Sequence, residues 1–242
     1  MSKMNQDEQK QLVAKTAVDA LLEKGLIFDG MKIGMGTGST ALPAVKRISE
    51  LLANGTLKDI KAVATSYQTE NACAAWKIPT YAFYDIKING HLDLAIDGAD
   101  EIDNNNNLIK GGGAALLREK IIEYNSAKVV IVADSSKLVK TLGTKFPLPV
   151  EIVPDAYASI KRELEKLGAT VTLREGLRKY GPVITDNGNQ IVDCLWKEPV
   201  NPIEFENLIN QITGVVENGF FTKAKPSVFI AKEDGTVEIR NF

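Results

Sequence analysis

Apolar and polar positions follow one another in a phrase that recurs four times. Met31 to Met35 is a short apolar run ending in Gly36-Thr37-Gly38-Ser39-Thr40, and apolar residues then return at helical spacing from Ala41 to Leu52. Ile60 to Ala64 leads into Thr65-Ser66-Tyr67-Gln68-Thr69-Glu70 and an Ala-rich helical stretch to Trp76, with Pro79 marking the exit. Leu92 to Ile96 leads into Asp97-Gly98-Ala99-Asp100-Glu101, and Val129 to Ala133 leads into Asp134-Ser135-Ser136-Lys137. Strand, polar turn and helix make the βα unit. A first helix is predicted over 8–24, with Leu12, Val13, Ala17, Ala20 and Leu21 at helical spacing and Gly25 at its end.

In an open parallel sheet, ligands lie outside the carboxyl ends of the strands, so four such clusters are expected to converge on one site. Taken singly, each is also what an ordinary βα turn looks like.

The pattern changes after Lys145-Phe146-Pro147-Leu148-Pro149. Strands are expected at Val150–Val153, Thr170–Leu173, Val183–Thr185, Ile191–Leu195 and Val215–Val216, with helices at Ala156–Leu167 and Ile203–Ile212. That is the β-α-β-β-α-β order of a ferredoxin-like unit with one strand to spare. The expected fold class is therefore α/β: an open sheet with helices on both faces, plus a smaller α+β ferredoxin-like domain. The expected division is 1–147 with 218–242 as the large catalytic domain and 148–217 as the small one. Ser227–Ala231 and Thr236–Ile239 flank Asp234-Gly235, a hairpin signal that returns the chain to the large domain. The Asn104–Asn107 run reads as a turn.

Composition narrows the function. The chain has 242 residues, 44% hydrophobic and 25% charged, with a net charge of −2, the balance of an ordinary globular protein with room for one or two domains. No long basic stretch exists, and clusters such as Lys58 and Lys61 read as solvated surface, so nucleic acid is not expected as a partner. The longest aliphatic run is Val129–Ala133, and Met1 to Lys15 is polar, so neither a membrane span nor a signal peptide is expected and the cytosol is the expected location. Cys73 and Cys194 are too few for a disulfide framework. The single His91 argues against a histidine-based zinc site or a Ser-His-Asp triad.

Three stretches carry candidate chemistry. Gly34 to Thr40 combines glycines with hydroxyls at a helix start, where free N–H groups favour an anion such as phosphate. It matches neither a dinucleotide fingerprint nor a P-loop. Asp97, Asp100 and Glu101 are three acids in a short turn, open to reading as a divalent metal site, as acid–base groups for sugar hydroxyls, or as an exposed acidic turn. Lys110-Gly111-Gly112-Gly113 is costly to order, which suits backbone N–H groups facing a ligand with Lys110 supplying charge, though a surface turn has the same composition. On a helix beginning near Ala114, Arg118 falls inside the apolar arc and Glu119 at its border, so spacing alone makes Glu119 a surface residue.

Those segments in that order resemble type A ribose-5-phosphate isomerase: GTGST at 36–40, DGADE at 97–101, KGGGAALLREK at 110–120 and ADSSK at 133–137, continuing through FPLPVEIVP, GNQIVD and Glu217-Asn218-Gly219-Phe220-Phe221. The resemblance implies a Rossmann-like large domain, a small α+β domain and a homodimer or homotetramer. It implies interconversion of ribose 5-phosphate and ribulose 5-phosphate, in the non-oxidative pentose phosphate pathway, without metal or cofactor. Glu119 corresponds to the general base that works through a cis-enediolate, and Lys110 to the group that steadies the oxyanion. Asp97 and Asp100 would bind the sugar hydroxyls and assist ring opening or proton relay. Thr37, Gly38, Ser39 and Thr40 would line the substrate, with Ser39, Thr40, Lys137 and Lys10 near the phosphate and Gly111, Gly112 and Gly113 offering backbone N–H groups.

Two other readings remain. One is a sugar-phosphate enzyme of the same superfold, an aminosugar deaminase or acyl-CoA transferase; His91 precedes its strand and is poorly placed for a deaminase. The other is a sugar-phosphate sensor without turnover, against which Glu119 and Lys110 stand together.

Overall fold

The computed structural model describes residues 3–242; Met1 and Ser2, the start of the polar N-terminal stretch, lie outside the described residues. The chain divides into two compact units. The first comprises residues up to Gly98, Arg118–Ser136 and Pro226–Phe242, and the second comprises Ala99–Leu117 and Lys137–Lys225.

The first unit opens with α1 (Gln6–Glu23), capped by Asn5, whose side chain accepts from the Glu8 N–H while the Glu8 carboxylate accepts from the Asn5 N–H. Then follow β1 (Lys32–Met35), α2 (Gly38–Ala53), β2 (Lys61–Ala64), α3 (Tyr67–Ala75) and β3 (Leu92–Asp97). In α2, Ala41, Ala44, Val45, Ile48 and Leu51 are buried, the three-and-four spacing of one apolar face.

The chain next enters the second unit with β4 (Glu101–Ile102) and β5 (Leu108–Ile109), and α4 (Leu116–Tyr124) leads it back to β6 (Ser126–Asp134). Ala114 holds a φ of 59°, outside the helical region, so α4 begins at Leu116 rather than near Ala114. The second unit continues through β7 (Leu148–Ile152), α5 (Tyr157–Lys166), β8 (Ala169–Leu173), β9 (Gln190–Trp196), α6 (Pro202–Ile209), β10 (Val215–Asn218) and β11 (Phe220–Phe221). Finally β12 (Ser227–Ala231) and β13 (Val237–Arg240) belong to the first unit.

The main sheet runs β13-β12-β6-β3-β1-β2, parallel except for the β12–β13 hairpin turned at Asp234-Gly235. Its inner strands read as unbroken apolar runs because helices flank the sheet, and Val129–Ala133 is wholly buried. Among the described residues no helix is long and apolar enough to cross a membrane.

In the second unit β10-β7-β9-β8 form an antiparallel sheet, entered in the order β7-α5-β8-β9-α6-β10, which is the expected ferredoxin-like arrangement. Its core gathers Val150, Ile152, Ile160, Leu164, Val192 and Ile209. The spare strand at Val183–Thr185 does not form. Both edges of β9 are already taken by β7 and β8, and the Thr185 hydroxyl accepts from Asn187 N and Asn189 N, which turns the chain; only the isolated pairings Glu175–Pro182 and Ile184–Gln190 remain. A third small sheet, β11-β5-β4, pairs Phe220 with Ile109 and Phe221 with Leu108.

Candidate active site

In the first unit β2 lies on one side of β1 and β3 on the other, so the strand order reverses between β1 and β3. A crevice for ligand is expected at the carboxyl ends of those two strands. The groups found there are those singled out from the sequence. Asp97, buried at the end of β3, accepts from Thr37 N (3.1 Å) and Gly98 N (2.7 Å) through Oδ1. Thr40 stands on the first turn of α2, and a Cβ on Gly98 would reach its Cβ at 3.7 Å.

Thr37 takes the N-cap position of α2 without a capping bond from its side chain. Its hydroxyl lies 2.6 Å from both Thr65 Oγ1 and Ser66 Oγ and 3.1 Å from Thr69 Oγ1, and Thr69 donates to Gly36 O (2.8 Å). Thr37 is thus tied to the start of α3. Gly38 N donates to Gln68 Oε1 (3.0 Å), whereas Ser39 is exposed on the first helical turn, where backbone N–H groups lack helical partners.

The turn after β6 is held from α1. Gln6 Nε2 donates to Asp134 Oδ2 (3.2 Å), and buried Gln9 accepts from the Ser135 hydroxyl (3.2 Å). One residue along α1, Lys10 lies 3.6 Å from Asp7. On α4, Glu119, Lys120 and Glu123 are all buried, Glu119 at 6% exposure. Arg118 pairs with Glu70 at 3.7 Å and stands over the Tyr67 ring at 4.6 Å. The surface position that spacing gave Glu119 is therefore corrected: a charged face of α4 is turned inward.

In the second unit Asp100 is half-buried and accepts from Gly112 N (2.7 Å), so one N–H of the triple glycine already serves this carboxylate. Lys110 is buried at 2% exposure on the segment that follows β5, with its N–H donating to Gly219 O (3.0 Å). Lys137 closes the 3-10 turn Ser135–Lys137 and is half-buried. Glu101 does not join the acidic group: its carboxylate accepts from Gly143 N (2.5 Å), Lys145 N (2.6 Å) and Phe146 N (2.8 Å), which makes it a loop anchor.

Sequence reasoning missed Arg174. Its guanidinium pairs with Asp193 and donates to Gly111 O (2.8 Å) and Gly112 O (3.1 Å), fixing the glycine segment from the end of β8. No local signal marks it, because a lone arginine after a strand reads as surface.

The comparisons with known proteins agree with this architecture. The family model described as ribose 5-phosphate isomerase A (phosphoriboisomerase A) matches residues 61–235. The chain is 56% identical to ribose-5-phosphate isomerase A of Treponema denticola over 97% of this chain and 99% of that one. It is 41% identical to the Thermococcus kodakarensis protein of the same name, over 96% and 97%. A solved D-ribose-5-phosphate isomerase in complex with phospho-erythronic acid superposes with a TM-score of 0.91 at 41% identity, covering 98% of this chain and 99% of the other. The Methanocaldococcus jannaschii ribose 5-phosphate isomerase A gives 0.86 at 40% identity, covering 96% and 98%. The class so defined is the aldose–ketose isomerases. Within it, the chain belongs to the ribose 5-phosphate isomerase A family.

Proposed function

We propose that the chain interconverts D-ribose 5-phosphate and D-ribulose 5-phosphate with Glu119 as its general base. The observation that carries this is the burial of Glu119 and Lys110, a carboxylate and an ammonium, in the single segment Lys110–Lys120. Buried titratable groups of opposite charge so close in sequence suit proton chemistry in a site that excludes water. Starting from the aldose, the Glu119 carboxylate takes the proton from carbon 2, the C–H electrons form the C1–C2 double bond, and the carbonyl electrons move onto oxygen 1. Returning that proton to carbon 1 while oxygen 2 becomes the carbonyl gives the ketose, and the hydroxyl proton passes to oxygen 1. Lys110 faces the developing oxyanion, where fixed positive charge stabilises the transition state most. Asp97 and Asp100 hold hydroxyls of the sugar and relay the oxygen-bound proton.

The phosphate lies with Ser39 and Thr40 at the α2 N-terminus, Lys137 and Lys10, while Thr37, Gly38 and Gly111 to Gly113 line the sugar. Gly38 N exchanges its bond to Gln68 for substrate. No metal or cofactor takes part, since a carboxylate base and a cationic electrophile supply what enolisation needs. Phospho-erythronic acid, held by the related structure, is a sugar-acid phosphate; its carboxylate spreads negative charge over two oxygens in one plane, as an enediolate does.

The experiment is ribulose 5-phosphate formation from ribose 5-phosphate, with and without EDTA, beside Glu119→Gln. Turnover that survives EDTA and vanishes in the variant supports the reading. Near-normal turnover by Glu119→Gln removes Glu119 as the base.

The protein works as a homodimer or homotetramer in the cytoplasm. Exposed Tyr84 and Ile86 give association an apolar surface to cover, and two free buried cysteines suit a reducing compartment. Residues 148–217 form the small domain, supported by a ferredoxin-like sheet lying within 148–218, and 1–147 with 218–242 form the large one. Compact packing groups the chain differently, because β4 and β5 pair with β11 instead of the main sheet.

A further inference from the structure

The Lys110 ammonium stands over the ring of Phe221, 5.5 Å from its centroid, and both side chains are buried. The placement is built from several directions. The Lys110 N–H donates to Gly219 O (3.0 Å), Gly219 N donates to Pro149 O (2.8 Å), and β11 pairs Phe221 with Leu108 two residues before the lysine. Buried Asn218 accepts from Phe220 N (3.1 Å) and donates through Nδ2 to Glu206 O (2.9 Å) and Asn210 Oδ1 (2.7 Å). Immediately after Phe221 in the chain, Thr222 donates to buried Glu206 through its N–H (3.1 Å) and its hydroxyl. The residues flanking Phe220-Phe221 are thus bolted to α6 and to the residue that ends it.

A fully buried phenylalanine needs only volume. This one is aimed at a cation buried away from water, and the negative face of an aromatic ring attracts such a cation. Leucine would fill much of the space without that quadrupole. Lysine has four rotatable side-chain bonds, so an ammonium expected to meet one oxygen in the transition state gains from a fixed rest position.

We infer that Phe221 is a positioning residue for Lys110, its ring face fixing the ammonium where the oxyanion develops. This rests on the reading that Lys110 stabilises the oxyanion. The consequence falls on turnover, because the buried ring acts through the lysine.

The test replaces Phe221 by 4-fluoro-, 3,5-difluoro- and 3,4,5-trifluorophenylalanine, which weaken the ring face in steps while nearly preserving its shape. The expected result is a stepwise fall in kcat, about two- to fivefold per step, with KM within about twofold of the original. A kcat that stays flat across the series overturns the inference. Lys110→Met, assayed alongside, tests the reading beneath it. Wild-type turnover by that variant overturns both, whereas a flat fluorinated series beside an impaired Lys110→Met overturns the role of Phe221 alone.

Discussion

Gly36 and Asp97 are packed so closely that a methyl group on Gly36 would lie 2.6 Å from the Asp97 Cα and 2.5 Å from its Cγ. Backbone cannot yield as the tip of a flexible side chain can, so Gly36→Ala pushes β1 and β3 apart where the strand order reverses. The expected outcome is a stability loss of about 1–3 kcal/mol and a fall in kcat/KM of at least tenfold. Thermal denaturation followed by circular dichroism, together with steady-state kinetics, checks both.

The three consecutive glycines are not equivalent. A Cβ on Gly112 would stand 2.7 Å from Asp100 Oδ1, whereas one on Gly113 would meet nothing within 4 Å. Gly112→Ala is therefore expected to displace Asp100 and cost activity at least tenfold, while Gly113→Ala keeps activity within about threefold. Parallel kinetics on the two variants decide it, and equal losses would show that backbone freedom matters more than the contact with Asp100.

Arg174 reaches two carbonyl oxygens and one carboxylate with a single guanidinium. Lysine has no fork to do the same. Hydrogen bonds from charged groups are worth about 1.5–3 kcal/mol each, so Arg174→Lys is expected to loosen Gly111 and Gly112 and lower kcat/KM by about ten- to a hundredfold. The fall is expected chiefly in kcat if the segment orders the catalytic groups and chiefly in KM if it only receives substrate.

Burial pushes the Cys73 thiol up to about 11, with the nearby Glu70 charge adding to it, and burial beside Asp193 pushes Cys194 up as well. A raised thiol pKa keeps the unreactive neutral form through neutral and mildly alkaline pH. Neither cysteine of the folded protein is expected to react with a thiol reagent at pH 8, and both are expected to react in denaturant. Counting modified thiols by mass spectrometry checks this.

Sequence pattern revealed the elements well and the site unevenly. β1, β2, β3 and β6 fall within a few residues of their apolar runs, because a strand buried on both faces must be written as continuous apolar sequence. The hairpin at Asp234-Gly235 was visible for the opposite reason, since its turn chemistry is local. Sheet order was not visible as such: nothing within Ser227–Ala231 says that it lies against β6. Glu119 shows the deeper limit. Its helix buries Glu119, Lys120 and Glu123, and a wheel that sorts residues by polarity puts charge outside by construction. Only the resemblance of the whole segment picked it out. Glu101 misled in the reverse sense, adjacent to the acids in sequence yet committed to three backbone N–H groups of its own loop.

The insertion of β12 between β6 and β13 sets a timetable for biosynthesis. On the ribosome, β6 is made long before its neighbour, and the entire ferredoxin-like sheet must emerge first. Throughout that interval the nascent chain offers Val129–Ala133 as a bare apolar edge, the kind of surface that other chains join. The main sheet closes only when Ser227–Ala231 leaves the exit tunnel. A stop codon just before Pro226 would therefore yield a polypeptide that keeps Asp97, Asp100, Lys110 and Glu119 but lacks the two strands that complete the main sheet.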